Sequence, residues 1–183
     1  MALDLARYIK PDSYVPCIYD INYPKLYENG IRCAVFDVDC TLLPFDDVKV
    51  TDDNELLFRY LNNIGIETGL CSSGSEKRVK SVADVLDTKY LSRAAKPFVP
   101  FCDIKTLFSD VCAPYNTIMI GDSIFLDMFL AGRNDMPKIL VDMIRDKVNL
   151  TVRINDVIQG AMYVALKKEG FKKKKYYRGM IER

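Results

Sequence analysis

Four apolar runs in this sequence break off at residues able to do chemistry. The first ends in Asp37-Val38-Asp39-Cys40-Thr41 and the second in Cys71-Ser72-Ser73-Gly74. The third is followed by Ala95-Lys96-Pro97, and the fourth by Gly121-Asp122-Ser123 with Asp127 one helical turn further on. Carboxylates, hydroxyls and one ammonium gathered in one place suit phosphoryl transfer. A carboxylate can attack phosphorus and carry the phosphoryl group as an acyl phosphate. A hard dication on oxygen ligands would keep that carboxylate from repelling an anionic substrate, and magnesium suits carboxylates, waters and phosphate. The ammonium adds a second positive charge, and a second aspartate can move the protons. The chain has no histidine. That removes Ser-His-Asp and Cys-His catalysis and phosphoryl transfer through histidine.

These residues need a scaffold that brings strand ends together. Short apolar stretches at 31–38, 67–71, 90–94, 117–120 and 138–141 read as buried parallel strands. Between them, helical spacing of apolar residues predicts helices over 52–64, 75–86, 100–111 and 123–131, with a last helix over 154–168. Asp52 or Asp53 is the expected N-cap of the helix over 52–64, and Gly65 its end. Alternating strands and helices predict an α/β fold with a central parallel sheet covered on both faces. Ligands of such a sheet bind beyond the carboxyl ends of its strands, where the residues above fall. The loop 42–50 leaves no room for a large inserted cap, so the site is expected to be open. The segment 1–30 reads as an irregular extension packed on the core, broken by Pro11, Pro16 and Pro24, with a short helix over 22–29 ahead of Gly30. The catalytic unit is expected over 31–166, and 167–183 is a basic tail.

The 49% hydrophobic and 28% charged composition is that of a folded globular domain and argues against disorder. No apolar run is long enough to span a bilayer, and Asp4 and Arg7 interrupt the opening stretch, which therefore does not read as a secretory signal. Six scattered cysteines without a CxxC pair read as free thiols in a reducing cytoplasm, and their spacings do not suit zinc. The net charge of +1 is uneven: 167–183 carries +6 and the remainder −5. The tail interleaves lysines with Phe171, Tyr176 and Tyr177. It reads first as solvated, next as a contact for an anionic membrane surface, and last as a nucleic-acid contact.

Blander readings compete at each motif. Asp37 and Asp39 could cap a turn while Lys96 pairs with Asp127, and Asp122 and Asp127 could serve only a helix N-terminus. Cys71 ahead of a small-residue loop suggests a cysteine phosphatase, but Lys77 stands where the C-x5-R loop requires arginine, so Cys71 reads as the last buried residue of a strand. Arg78 and Lys80 are expected on a solvated helix face, the alternative being contact with a substrate headgroup at the rim of the site.

The ordered set D-x-D-x-T, then Ser72, Lys96 and G-D-x-x-x-x-D, resembles the haloacid dehalogenase superfamily. Ser72-Ser73-Gly74-Ser75-Glu76-Lys77-Arg78-Val79 and the stretch from Gly121 to Gly132-Arg133-Asn134 further resemble its subfamily IIIA phosphatases of the YqeG type. These are similar to mitochondrial phosphatidylglycerophosphate phosphatases. The resemblance implies a Rossmann-like three-layer sandwich and a magnesium-dependent phosphatase. Asp37 would be nucleophile and metal ligand. Asp39 would be general acid and base, binding the metal through its carbonyl. Asp122 would be the further metal ligand. Thr41, Ser72, Ser73 and Lys96 would meet the phosphate, with Lys96 also catalytic, and Asp127 and Ser123 would support the site. The implied substrate is a phosphate monoester, with phosphatidylglycerophosphate first and a soluble nucleotide or sugar phosphate second; the rival reading is a scaffold of this fold that binds RNA or a protein partner. The expected protein is a monomer or weak dimer, cytoplasmic or peripheral on a membrane. Cys40 departs from the Asn or Gly usual at its position, and Ser73-Gly74 departs from an Asn-rich stretch.

Overall fold

The structure is a computed structural model that describes residues 5–45, 47–144, 160–167, 170–172, 175–179 and 182. Six strands form one parallel sheet: β1 Ser13–Val15, β2 Cys33–Phe36, β3 Glu67–Cys71, β4 Lys89–Leu91, β5 Thr117–Gly121 and β6 Lys138–Val141. Their order is β1-β6-β5-β2-β3-β4. The strand that carries Asp37 at its end is therefore central, between β3 and β5.

Alternate residues of the strands feed two apolar layers, as pleating requires. Ala34 and Phe36 of β2, with Ile118 and Ile120 of β5, pack with Phe58, Leu61, Val79 and Val82 on one face. Those four come from α3 Asp52–Asn63 and α4 Glu76–Leu86, which lie beside α2 Tyr23–Glu28. Cys33, Val35 and Met119 pack on the other face with Ile104 of α5 Phe101–Lys105 and Leu130 of α6 Phe129–Arg133. The short α1 Leu5–Ile9 and the helical residues 160–167 join β1 and β6 in a third apolar cluster at the sheet edge. Among the described residues no crossover holds an inserted unit, and no helix is long and apolar enough to cross a membrane.

Several elements differ from expectation. The stretch taken as irregular contributes β1, whose register on β6 runs from Ser13 opposite Ile139 to Val15 opposite Val141. The N-cap of α3 is Thr51, in a reciprocal capping box with Asn54, rather than either aspartate. The helix expected over 100–111 stops at Lys105, and the chain beyond it turns so that Ser109 donates from its backbone and its hydroxyl to the Glu67 carboxylate. In place of a helix over 123–131 there is a wide π-helical turn, Ile124–Met128, before α6. Of the helix expected over 154–168, residues 154–159 and 168 lie outside the described residues.

The described part of the tail is not free in solvent. Tyr177 exchanges two backbone hydrogen bonds of 2.9 Å with Tyr14 of β1. Phe171 is buried and stacks on Tyr14 at 5.5 Å, and Gly179 donates its N–H to Ser13 Oγ at 2.9 Å. An edge strand offers unpaired backbone groups that another segment can use, and this segment uses them. Lys172, Lys175 and Arg178 stay exposed.

Candidate active site

Asp37 directly follows the central strand, and its backbone N–H still bonds to Ile120 of β5. It is 6% exposed. Lys96, in the loop after β4, reaches across the strand ends: Nζ donates to Asp37 Oδ1 at 2.5 Å and to Asp127 Oδ1 at 2.8 Å. Its side chain is only 2% exposed. The expected alternative in which Lys96 pairs with Asp127 is thus half of what occurs, because the same ammonium also holds Asp37.

Asp122 follows β5, is buried, and accepts the Thr41 hydroxyl at 3.0 Å. Thr41 was expected on the phosphate. Its hydroxyl donates to Asp122, so it ties the loop after β2 to the end of β5. Asp127 lies in the π-helical turn with no exposed surface, and its second oxygen accepts the Ser123 N–H at 3.0 Å. Ser123 Oγ caps the same turn through Leu126 N at 3.1 Å. Gly121 leaves the space that Asp127 fills: a Cβ there would collide with the carboxylate.

Among the described residues, Asp37, Asp122 and Asp127 offer carboxylate oxygens that lie within 4.8 Å of one another. Three ionised carboxylates and one ammonium leave a buried excess of two negative charges, which fits a divalent cation. The protonation behaviour agrees. Burial pushes the Asp37 carboxyl up to about 7, against the pull of Lys96. Burial, then Asp127 and Asp37, push Asp122 well above the carboxylate range. Asp127 already has both oxygens bonded, so Asp37 and Asp122 are the side chains best suited to hold the cation.

Asp39 is not part of that cluster. Its carboxylate turns to Arg78, which grips it with two nitrogens at 2.8 and 2.9 Å. Arg78, expected on a solvated helix face, is 8% exposed and also donates to the Asp47 carbonyl at 2.6 Å. The signal was present in the spacing, since Arg78 precedes Val82 by four residues and Leu86 by eight and so shares their buried stripe.

Ser72 is fully buried after β3 and accepts the Gly74 N–H at 3.0 Å. Ser73 is exposed, and its hydroxyl donates to the Ala94 carbonyl at 3.0 Å. Cys71 is fully buried and its thiol is pushed up to about 12 by burial, the opposite of an activated nucleophile. Cys40 has a φ of +64°, in the left-handed region. That accounts for the Asn or Gly usual at this position, since those residues adopt it at least cost.

No family model matches the chain. It is 25% identical over 166 residues to the Probable phosphatase YqeG of Bacillus subtilis (strain 168), covering 91% of this chain and 96% of that protein. The cobalt-bound deoxy-D-mannose-octulosonate 8-phosphate phosphatase YrbI of Haemophilus influenzae superposes with a TM-score of 0.49 at 18% identity, over 80% of this chain and 92% of that one. A probable YrbI-family phosphatase of Pseudomonas syringae gives 0.45 at 15% identity, over 81% and 99%. A parallel sheet with an aspartate at the end of its central strand, a lysine on that aspartate and further aspartates at the next strand end agree with what the resemblance to the haloacid dehalogenase superfamily implies. The similarity to the probable phosphatase of the YqeG type, over nearly the whole of both chains, supports the same reading.

Proposed function

We propose that the protein is a magnesium-dependent phosphate monoester hydrolase that works through an aspartyl-phosphate on Asp37. The observation that carries this reading is the buried Asp37 carboxylate at the end of the central strand, with Lys96 bonded to one of its oxygens at 2.5 Å. Asp37 attacks phosphorus, and the ester P–O bond breaks as the leaving oxygen takes a proton from Asp39, which must enter this step as the acid. Water then attacks the same phosphorus, gives a proton to Asp39, and the acyl P–O bond breaks to return the Asp37 carboxylate and inorganic phosphate. Lys96 orients the attacking carboxylate and balances charge on the phosphoryl oxygens. Ser72 would meet that group, as the resemblance implies. Asp37 and Asp122, with the Asp39 carbonyl, would hold Mg2+, which supplies Lewis-acid stabilisation of the phosphoryl charge. Asp127 keeps Lys96 in place and Thr41 orients Asp122.

For the substrate we favour phosphatidylglycerophosphate, hydrolysed to phosphatidylglycerol. The support is the resemblance to mitochondrial enzymes of that specificity and the lack of a cap among the described residues, which suits a headgroup presented at a surface. The tail lends less support than its composition suggests, because among its described residues Phe171 is packed against β1 and Arg178 is paired with Glu182, while Lys172, Lys175 and Tyr176 stay exposed. The test is Mg2+-dependent phosphate release from phosphatidylglycerophosphate in mixed micelles, beside soluble phosphate monoesters and an Asp37→Asn control. Release from the lipid that the variant abolishes supports the full reading. Release only from soluble esters keeps the chemistry and removes the lipid.

A further inference from the structure

We propose that Arg78 is the positioning residue for Asp39, holding the proton-transfer carboxylate clear of the cation cluster. The inference rests on the phosphatase reading above. Asp39 is two residues after Asp37, in the loop beyond the end of β2. It does not join the carboxylate cluster of Asp37, Asp122 and Asp127. Arg78 takes both Asp39 oxygens in a fork, Nη2 to Oδ1 at 2.8 Å and Nη1 to Oδ2 at 2.9 Å. Two parallel bonds fix direction as well as distance.

The fork is itself anchored. Arg78 is in the first turn of α4, next to Val79, which is fully buried in the core. Its Nη2 also donates to the Asp47 carbonyl at 2.6 Å, joining the loop after β2 to α4. Gly74 lies beside it: a Cβ there would stand 3.2 Å from Ser72 Oγ and 3.4 Å from Arg78 Nη1. The Asp39 side chain keeps 23% of its surface against 9% for Arg78, so the carboxylate is the more solvent-accessible partner. A lysine could not reproduce this arrangement, because one ammonium lacks the planar set of donors that spans both oxygens and the carbonyl.

The step that exposes the role is hydrolysis of the aspartyl-phosphate. Water oxygen bonds to phosphorus, the P–O bond to Asp37 breaks with its electron pair left on the carboxylate, and the water proton passes to Asp39. On p-nitrophenyl phosphate the leaving group departs without a proton, so kcat/KM reports phosphorylation of Asp37 and kcat reports its hydrolysis. Asp39→Asn is expected to lower kcat by about a hundredfold. Arg78→Ala is expected to lower kcat by about tenfold or more, with kcat/KM nearly retained, KM reduced and the phosphoenzyme accumulating. The double variant Arg78→Ala with Asp39→Asn should be no slower than Asp39→Asn, because Arg78 acts through Asp39. Arg78→Lys should show the same split at smaller size, and it carries the test if the alanine variant does not fold. A fall of kcat and kcat/KM by one common factor, or losses that multiply in the double variant, would overturn the positioning role while the phosphatase reading stands. A folded wild type that releases no phosphate from this ester in Mg2+ would overturn both.

Discussion

Replacing Lys96 by Met keeps the length of the side chain and removes its charge. The ammonium it removes is the common partner of two buried carboxylates, at 2.5 Å from Asp37 and 2.8 Å from Asp127. Neither carboxylate can turn to solvent: Asp37 is 6% exposed and Asp127 not at all. Hydrogen bonds to charged groups contribute about 1.5–3 kcal/mol each, and stripping one partner from a buried pair costs about 3–5 kcal/mol. The cluster's excess of negative charge rises from two to three. We therefore expect the cation-free variant to lose about 4 kcal/mol at pH 8, roughly 10 °C in Tm for a chain of this size. At pH 5 the loss should be smaller, because protons neutralise the orphaned carboxylates. Urea unfolding at both pH values measures this, and phosphate release should fall by at least about a hundredfold. A loss below about 1 kcal/mol that ignores pH would show that Lys96 is not the counter-charge described here.

Four further outcomes follow from the geometry. Burial raises Asp37 from 3.8 to about 7, so its contribution to the stability of the cation-free fold is fully present below pH 3.8 and is lost as pH rises through 7. Thermal melts should accordingly show Mg2+ raising Tm more at pH 8 than at pH 5, and chelator should reverse the rise. Gly121→Ala should displace Asp127 and lower kcat by about tenfold or more while the sheet still forms, checked by phosphate release beside circular dichroism. Cys40→Val should destabilise by about 2 kcal/mol in urea, because a β-branched residue resists a φ of +64°, whereas Cys40→Gly should stay within about 1 kcal/mol of the wild type. Phe171→Ala should cost about 3 kcal/mol by the same assay if the tail segment belongs to the core of the sheet edge.

The central strands and the residues at their ends were legible because a parallel sheet buried on both faces leaves short apolar runs with abrupt polar ends. β2, β3, β5 and β6 fall inside or within a residue of the expected spans. What escaped depends on partners distant in sequence. β1 has three residues close to Pro11 and Pro16, too few for a pattern, and exists because β6 and Tyr177 pair with it. The π-helical turn arises where Asp127 folds back to Ser123 N and Lys96, which local helix propensity does not register. Arg78 was misplaced because a charged residue beside other charges suggests a wet surface, and only the fold brings Asp39 within its reach. Thr41 and Ser73 belong to the expected motifs, yet the atoms their hydroxyls meet are set by neighbouring strand ends.

The central claim is that Asp37 carries the phosphoryl group, and the most direct test is to trap it. The protein would be mixed with p-nitrophenyl phosphate and Mg2+, quenched in acid, reduced with borohydride and mapped by mass spectrometry. An acyl phosphate on Asp37 is reduced to homoserine at that position, and the account predicts this product in the wild type, more of it in Asp39→Asn, and none in Asp37→Asn. Turnover with no modification of Asp37 in any of these samples, or reduction at another aspartate, would contradict it.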